Sequence, residues 1–201
     1  MKANGKKLTL RVIAGSLKGR PIAMVPSDTT RSTKSILKES FFNTLGIEVE
    51  GTLFVEVFAG TGSMGIEALS RGARRAIFFE YSNEAYKILQ KNLQTLSLQE
   101  ASESFLGNSF DLFPQIMRSQ SQKEKMIVYL DPPFAIRENQ AEVYERCYAL
   151  IQTLSPQNTL YIALEHMSQL EPPSQIGAFE RLKTKKFGKS ALSYYATLAH
   201  D

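Results

Sequence analysis

Residues 52–65 read TLFVEVFAGTGSMG, and the two halves of that run obey different rules. Thr52 to Phe58 is apolar except for Thr52 and Glu56, the pattern of a strand buried on both faces. Gly60, Gly62 and Gly65 then fit G-x-G-x-x-G, and residues 63–71 continue in a helical pattern. A second strand, RAIFFE, ends in Glu80, eighteen residues beyond Gly62. Glycines in such a turn let the backbone approach a ligand closely, and an acid at the end of the second strand takes ribose hydroxyls. The pattern alone suits a dinucleotide or S-adenosylmethionine, and a tight turn with no ligand is the plainer alternative.

Working outward, the chain after residue 51 alternates strand and helix. Residues 83–97 place Ala85, Ile88, Leu89, Asn92 and Leu96 in helical phase. SESFL (102–106) reads as a short strand, 109–118 as a helix, MIVYL (126–130) as a strand, about 139–154 as a helix and NTLYIALE (158–165) as a strand. This alternation predicts an α/β, doubly wound, mostly parallel sheet covered on both faces. FERLKTKKF and SALSYYATLA flank Gly188 and Lys189 with no helix between them, which predicts a C-terminal antiparallel hairpin. Tyr194 and Tyr195 alternate across that sheet, so one of them is expected in the core.

The first 46 residues differ. LTLRVIAG and RPIAMV flank SLKG, which predicts a basic β-hairpin arm. Residues 33–45 then form a helix with Ile36, Leu37, Phe41 and Leu45 near one face, closed by Gly46. Two units are therefore expected: residues 1–46 as arm and connecting helix, and residues 47–201 as the domain that carries the chemistry.

The 201 residues are 43% hydrophobic and 22% charged, enough for one sizeable core. A single cysteine, Cys147, excludes an internal disulfide, and two histidines, His166 and His200, give no cluster with zinc spacing, so no metal is expected. Cys147 and His166 read as packed or surface residues and His200 as a solvated one. The sequence has no apolar run approaching about 18 residues, so a cytoplasmic protein with no membrane contact is expected. Charge is uneven: residues 1–40 hold nine basic and two acidic side chains, while RLKTKKFGKS (181–190) holds five basic ones and no acid. Such clusters suit a phosphate backbone or, more plainly, a solubilising surface.

Two further features turn the reading toward methyl transfer. Glu56 stands just before the glycine turn, where a carboxylate would repel a pyrophosphate but could face the sulfonium and ammonium of S-adenosylmethionine. YLDPPF, Tyr129 to Phe134, delivers Asp131 to the end of a strand and locks it with Pro132 and Pro133. The Asp131 carboxylate and the Pro132 carbonyl could accept hydrogen bonds from an exocyclic amine, and Phe134 could stack on the base, worth about 1–3 kcal/mol. Held positions of this kind suit an extruded base. A rigid turn with Asp131 as a helix cap is the structural alternative.

VEVFAGTGSMGIEALSRGA, FFEYSNEAYKILQKNL, GNSFDLF and YLDPPF, together with RVIAGSLKGRPI and TRSTKSILKESFFNTL in the arm, resemble the RsmD-type bacterial 16S ribosomal RNA guanine-N2 methyltransferases. The resemblance covers nearly the whole chain. It implies a Rossmann-like class I methyltransferase fold, S-adenosylmethionine as cofactor, and 16S RNA in an assembled or partly assembled small subunit as substrate, acted on by a monomer. It further implies that Glu56, Phe58, Ala59, Gly60, Gly62, Glu80, Tyr81 and Asn108 bind cofactor, and that Asp131, Pro132, Pro133 and Phe134 form the amine pocket. Arg11, Lys18, Arg20, Arg31 and Thr33 would contact RNA or the target. The family usually has Arg-Pro-Thr where this chain has Arg31-Ser32-Thr33, and Arg where it has Lys38. A DNA adenine amino-methyltransferase shares the chemistry, while a nicotinamide-dependent oxidoreductase or a non-catalytic RNA-binding module would share the fold.

Overall fold

The computed structural model describes residues 9–25, 31–120, 124–133 and 140–197, with the backbone alone for 31–33, 140 and 141. Its first elements are a two-stranded antiparallel ribbon, β1 (Thr9–Arg11) and β2 (Pro21–Ala23), in which Leu10 pairs with Ile22. Helix α1 (Arg31–Leu45) follows and starts two residues earlier than the spacing predicts. Then come β3 (Leu53–Glu56), α2 (Ser63–Ser70), β4 (Arg75–Glu80), α3 (Asn83–Thr95), β5 (Ser102–Leu106), α4 (Ser109–Ser119) and β6 (Met126–Leu130). The chain closes with α5 (Gln140–Gln152), β7 (Thr159–Met167), β8 (Gln175–Ile176), β9 (Phe179–Phe187) and β10 (Ser190–Ala196). β8 pairs only with Glu180 and Phe179 of β9, and two residues leave no alternation for a sequence reading to find.

The large sheet has the order β5-β4-β3-β6-β7-β10-β9-β8. β3 pairs in parallel with both β4 and β6, so the winding reverses between β3 and β6. β10 enters antiparallel between β7 and β9, which is the expected C-terminal hairpin. Covered on both faces, the strands are buried in both phases: all of β3 and β6 is buried.

Each face has its own core. On one side α1, α2 and α3 cover the sheet, with Phe41, Phe42, Phe54, Phe78, Leu89, Tyr129 and Tyr194 in contact. On the other, α4 and α5 cover it through Phe113, Tyr144 and Cys147 against Phe79, Val128, Ile162 and Tyr195. Both Tyr194 and Tyr195 are therefore core residues, not one of them, because neither face of β10 is open to water. His166 is fully buried within β7, where its ring bonds Met167 O and Ser193 Oγ, each at 2.8 Å. Ile36 departs from expectation and is 57% exposed. The buried stripe of α1 is Leu37, Phe41 and Leu45 at steps of four, with Phe42 beside it, and Ile36 lies off that stripe.

The arm is fastened to α2 by one acid. Glu67 is fully buried; its Oε2 accepts from Ile13 N at 2.8 Å and its Oε1 from Ala14 N at 2.9 Å. Arg71 Nε donates to Oε1 at 2.9 Å, and Lys38 Nζ lies 3.2 Å from Oε2. Lys38, 1% exposed, also donates to Arg11 O, so its ammonium joins arm, α1 and α2. Burial pushes the Lys38 ammonium below its ordinary range, and the Glu67 carboxylate opposes that shift. Ser70 continues the seam by bonding Ala14 O and Leu17 N. Exchanging Glu67 for Ala strands a buried ammonium and two arm amides, and is expected to cost about 3–5 kcal/mol. Chemical denaturation measures that loss, and limited proteolysis should show cleavage near residues 13–20 well before the sheet is cut.

Candidate active site

Ligands in doubly wound sheets bind outside the carboxyl ends of the strands, where the winding reverses. Here that point lies between β3 and β6, and Val57 N donates to Tyr129 O across it at 3.0 Å. The register therefore sets the glycine loop after β3 beside Asp131, Pro132 and Pro133 after β6. Pro132 is buried, Asp131 half-buried and Pro133 exposed, so the turn presents one edge outward. Phe134 lies outside the described residues.

The glycine loop is shaped by close approach. A Cβ on Gly65 would sit 2.3 Å from Phe78 Cε1, so only glycine lets the first turn of α2 settle onto β4. Gly62 caps α2 at φ +82°, a left-handed conformation that side chains rarely adopt. Gly60 faces open space, where nothing comes within 4 Å of an added Cβ. This is the cradle that a ligand can occupy.

Glu56 is 4% exposed and closes the bottom of that cradle. Its Oε2 accepts from Gly65 N at 2.8 Å and its Oε1 from Met64 N at 3.3 Å. These are amides of the α2 amino terminus, the groups that in dinucleotide folds receive a pyrophosphate. With the Glu56 carboxyl group already accepting from both, these amides have no hydrogen left to offer a phosphate. Burial pushes the Glu56 carboxyl up to about 8, while the two amides and, more weakly, Lys38 hold it down.

Glu80 ends β4 as the spacing predicts. Oε2 accepts from Gly60 N and Oε1 from Ser82 N, both at 2.6 Å, which fixes the carboxylate at the lip of the loop with lone pairs left over. Burial raises its pKa against those amides. Tyr81 beside it is 76% exposed, an aromatic face next to a ribose-type acid. Asn108 caps α4 by accepting from Phe110 N at 3.1 Å, and β5 places it alongside Glu80 through the bond from Gly107 N to Glu80 O. Phe58 is partly buried, edge-on to Phe110 at 5.3 Å, and Ala59 is buried. Glu56, Phe58, Ala59, Gly60, Gly62, Glu80, Tyr81, Asn108 and the turn from Asp131 thus gather at one end of the sheet.

The arm residues do not all join them. Lys38 lies beside Glu67 and Arg71 lies over the Phe42 ring, so α1 descends alongside α2, and its first turn, with Arg31 and Thr33, starts toward the carboxyl ends of the strands. The tip of the arm points the other way. Ser16 N donates to Ser70 O at the far end of α2, about 12 Å from the glycine loop at 1.5 Å per residue. Lys18 is exposed there, Arg20 donates to Thr95 O at the end of α3, and Arg11 donates to Gly19 O within the arm.

One positioning residue escaped the sequence reading. Asn92, 4% exposed, accepts from Ala23 N at 2.9 Å and donates to Ala23 O and to Thr61 O, each at 3.0 Å. It ties the arm to the glycine loop. Its place in the buried phase of α3 was the available signal, since a buried amide must find partners.

The family described as conserved hypothetical protein 95 matches residues 10–196. Ribosomal RNA small subunit methyltransferase D of Haemophilus influenzae is 34% identical over 165 residues, 82% of this chain and 83% of that protein. The chain belongs to the RsmD family. The YlbH protein of Bacillus subtilis is 29% identical to this family member over 188 residues, 92% of this chain and 98% of that one. Among solved structures, yhhF of Escherichia coli superposes with a TM-score of 0.73 at 25% identity, covering 96% of this chain and all of the other (100%). An RNA methyltransferase of Salinibacter ruber bound to S-adenosyl-L-homocysteine shares the fold at a TM-score of 0.51 and 14% identity, covering 88% of this chain and 95% of that one. The fold is that of class I methyltransferases, and S-adenosylmethionine is the family's cofactor. The open cradle at Gly60, the exposed Tyr81 and an α2 amino terminus already filled by Glu56 fit that group better than a dinucleotide.

The Glu56 environment has a pH signature. Its carboxyl is raised from 4.5 in the ordinary state to about 8 in the folded one, so the fold binds more protons than the unfolded chain between those values. Its contribution is fully present below about pH 4.5 and is lost as pH rises through about 8. Glu56→Gln removes this group. Thermal melts across pH should show wild-type stability falling relative to the variant over that window, and parallel curves would contradict the assignment.

Proposed function

We propose that this protein transfers a methyl group from S-adenosylmethionine to the exocyclic N2 amine of a guanine in 16S RNA of the small ribosomal subunit. The observation that carries the reading is the pairing of β3 with β6, which sets the Asp131–Pro132–Pro133 turn beside a glycine loop whose helix amino terminus is closed to phosphate. The substrate class follows from the Haemophilus influenzae relative, whose name assigns it to small-subunit ribosomal RNA.

When bound, S-adenosylmethionine supplies an electrophilic methyl group on a cationic sulfur. Glu80 would hold the ribose, Tyr81 and Asn108 the adenine side, and Phe58, Ala59, Gly60 and Gly62 the wall of the cradle, with the Glu56 carboxyl group buried beneath the loop. Asp131 and the Pro132 carbonyl accept the two N2–H bonds of the guanine and aim its nitrogen at the cradle. The Asp131 carboxylate would also face the positive charge that develops on that nitrogen as its bond to the methyl forms and the sulfur–methyl bond breaks to leave a neutral thioether, and it would accept the proton that the nitrogen then sheds. Pro132 and Pro133 hold these acceptors still, and positioning of this kind reaches on the order of 7–11 kcal/mol in favourable intramolecular reactions. Phe134 supplies the stacking surface. Residues 1–46 serve as the RNA-binding extension and residues 47–201 as the catalytic domain.

Incubation of unmodified small-subunit RNA, and of assembled subunits, with labelled cofactor should yield labelled N2-methylguanine on nucleoside analysis. Label on adenine would move the protein to the adenine amino-methyltransferases, and no label on any RNA would end the proposal. Asp131→Ala should lower turnover by at least a hundredfold, on the order expected for loss of one positioned group, while cofactor affinity measured by calorimetry stays within about twofold. Equal loss of both would place Asp131 in the cofactor site.

A further inference from the structure

The amine pocket needs RNA held around it, and the arm's basic tip is anchored at the opposite end of α2. A second basic feature, from the other end of the chain, also reaches the catalytic end. β6 and β7 are parallel, β10 is antiparallel to β7, and β9 is antiparallel to β10, so β9 runs in the same direction as β6. The Gly188–Lys189 turn that ends it therefore emerges at the end of the sheet where Asp131 stands. β9 is three strand steps from β6, roughly 14 Å at about 4.8 Å per step.

That turn is built firmly. Phe187 pairs with Ser190, Gly188 has φ +63°, and Lys189 does not have a positive φ, the pattern of a two-residue turn with glycine first. Ser168 N donates to Lys189 O at 2.9 Å, and the adjoining Met167 N donates to Tyr144 Oη at 3.3 Å. The hairpin tip is thus linked through the end of β7 to α5.

Its lysines divide into two pairs. Lys185 Nζ donates to Thr44 Oγ1 at 2.8 Å, and Lys183 Nζ lies 5.3 Å from the centre of the Tyr194 ring, so these two are spent on α1 and the sheet. Lys186 and Lys189 are exposed and have no ion pair among the described residues, and no acid occurs between Arg181 and Ser190. β8 pairs only with the first residues of β9, and lysines further along that strand also discourage strand addition, but that duty does not require charge at the turn.

We propose, resting on the reading of this protein as an RNA methyltransferase, that Lys186 and Lys189 grip the RNA backbone a few nucleotides from the extruded guanine. The ligand is the phosphodiester chain itself, met as charge and not as sequence. Contacts of this type release counterions, with a salt slope of about 0.7 per phosphate on single strands.

The test uses the full chain and a fluorescent small-subunit RNA, with anisotropy recorded across a salt series for wild type, Lys186→Gln/Lys189→Gln and Lys186→Arg/Lys189→Arg. The glutamine pair should bind on the order of tenfold more weakly at low salt, with a slope shallower by about 1.4 for two lost contacts. The arginine pair should bind like wild type, and the melting temperature and cofactor affinity of both should be unchanged. Wild-type affinity and slope in the glutamine pair would overturn the proposal, as would wild type that binds no RNA. Aggregation of the glutamine pair with unaltered RNA binding would assign these lysines to edge protection and overturn it as well. RNA binding without methyl transfer would defeat the proposed reaction alone, because the comparison of slopes still decides the hairpin's role.

Discussion

A carboxyl group shut beneath the first turn of a helix governs this protein. Glu56 lies at the end of the central strand and satisfies two amides that no intrahelical acceptor can reach. That bond pair fixes where α2 begins, and with it the loop from Val57 to Gly62. It also fills the place where a fold of this kind binds phosphate, so the same contact that orders the loop selects against a dinucleotide. The strain of holding an acid there is visible in its raised pKa.

Helix α2 carries a second buried acid eleven residues beyond Glu56. Glu67 gathers two backbone amides of the arm, the Arg71 guanidinium and the Lys38 ammonium. The arm is consequently part of the same core as α2 and α3, with Leu10, Val12 and Ile22 buried against it. Lys38 stands where these elements meet. The position asks for one buried positive charge between Glu67 and a carbonyl, which an ammonium supplies as a point charge without a planar fork.

Much of the architecture was legible in the chain. Strand–turn–helix alternation, the glycine spacing and the terminal acid of β4 are local patterns, and each predicted element lies within a few residues of its expected place. What failed was local reasoning about faces. Ile36 was expected inward and is exposed, because a helix of this length has a stripe narrower than its apolar content. Tyr194 and Tyr195 were expected to divide between core and water, yet a sheet covered on both sides has no wet face there. Asn92 sat in helical phase with apolar residues and Glu67 lay inside a predicted helix, and their arm partners are 69 and 53–54 residues away.

By itself the sequence determined the class of fold and the glycine loop, since local alternation and spacing are enough to state them, and the resemblance of its motifs along nearly the whole chain pointed to the family. It also determined that two basic clusters exist. Only the tertiary structure decided which parts of them stand near the amine pocket, because strand direction is set by pairing between distant segments. The arm comes first in the chain and its tip is tied to the far end of α2, whereas the hairpin that comes last returns to the end where Asp131 is held.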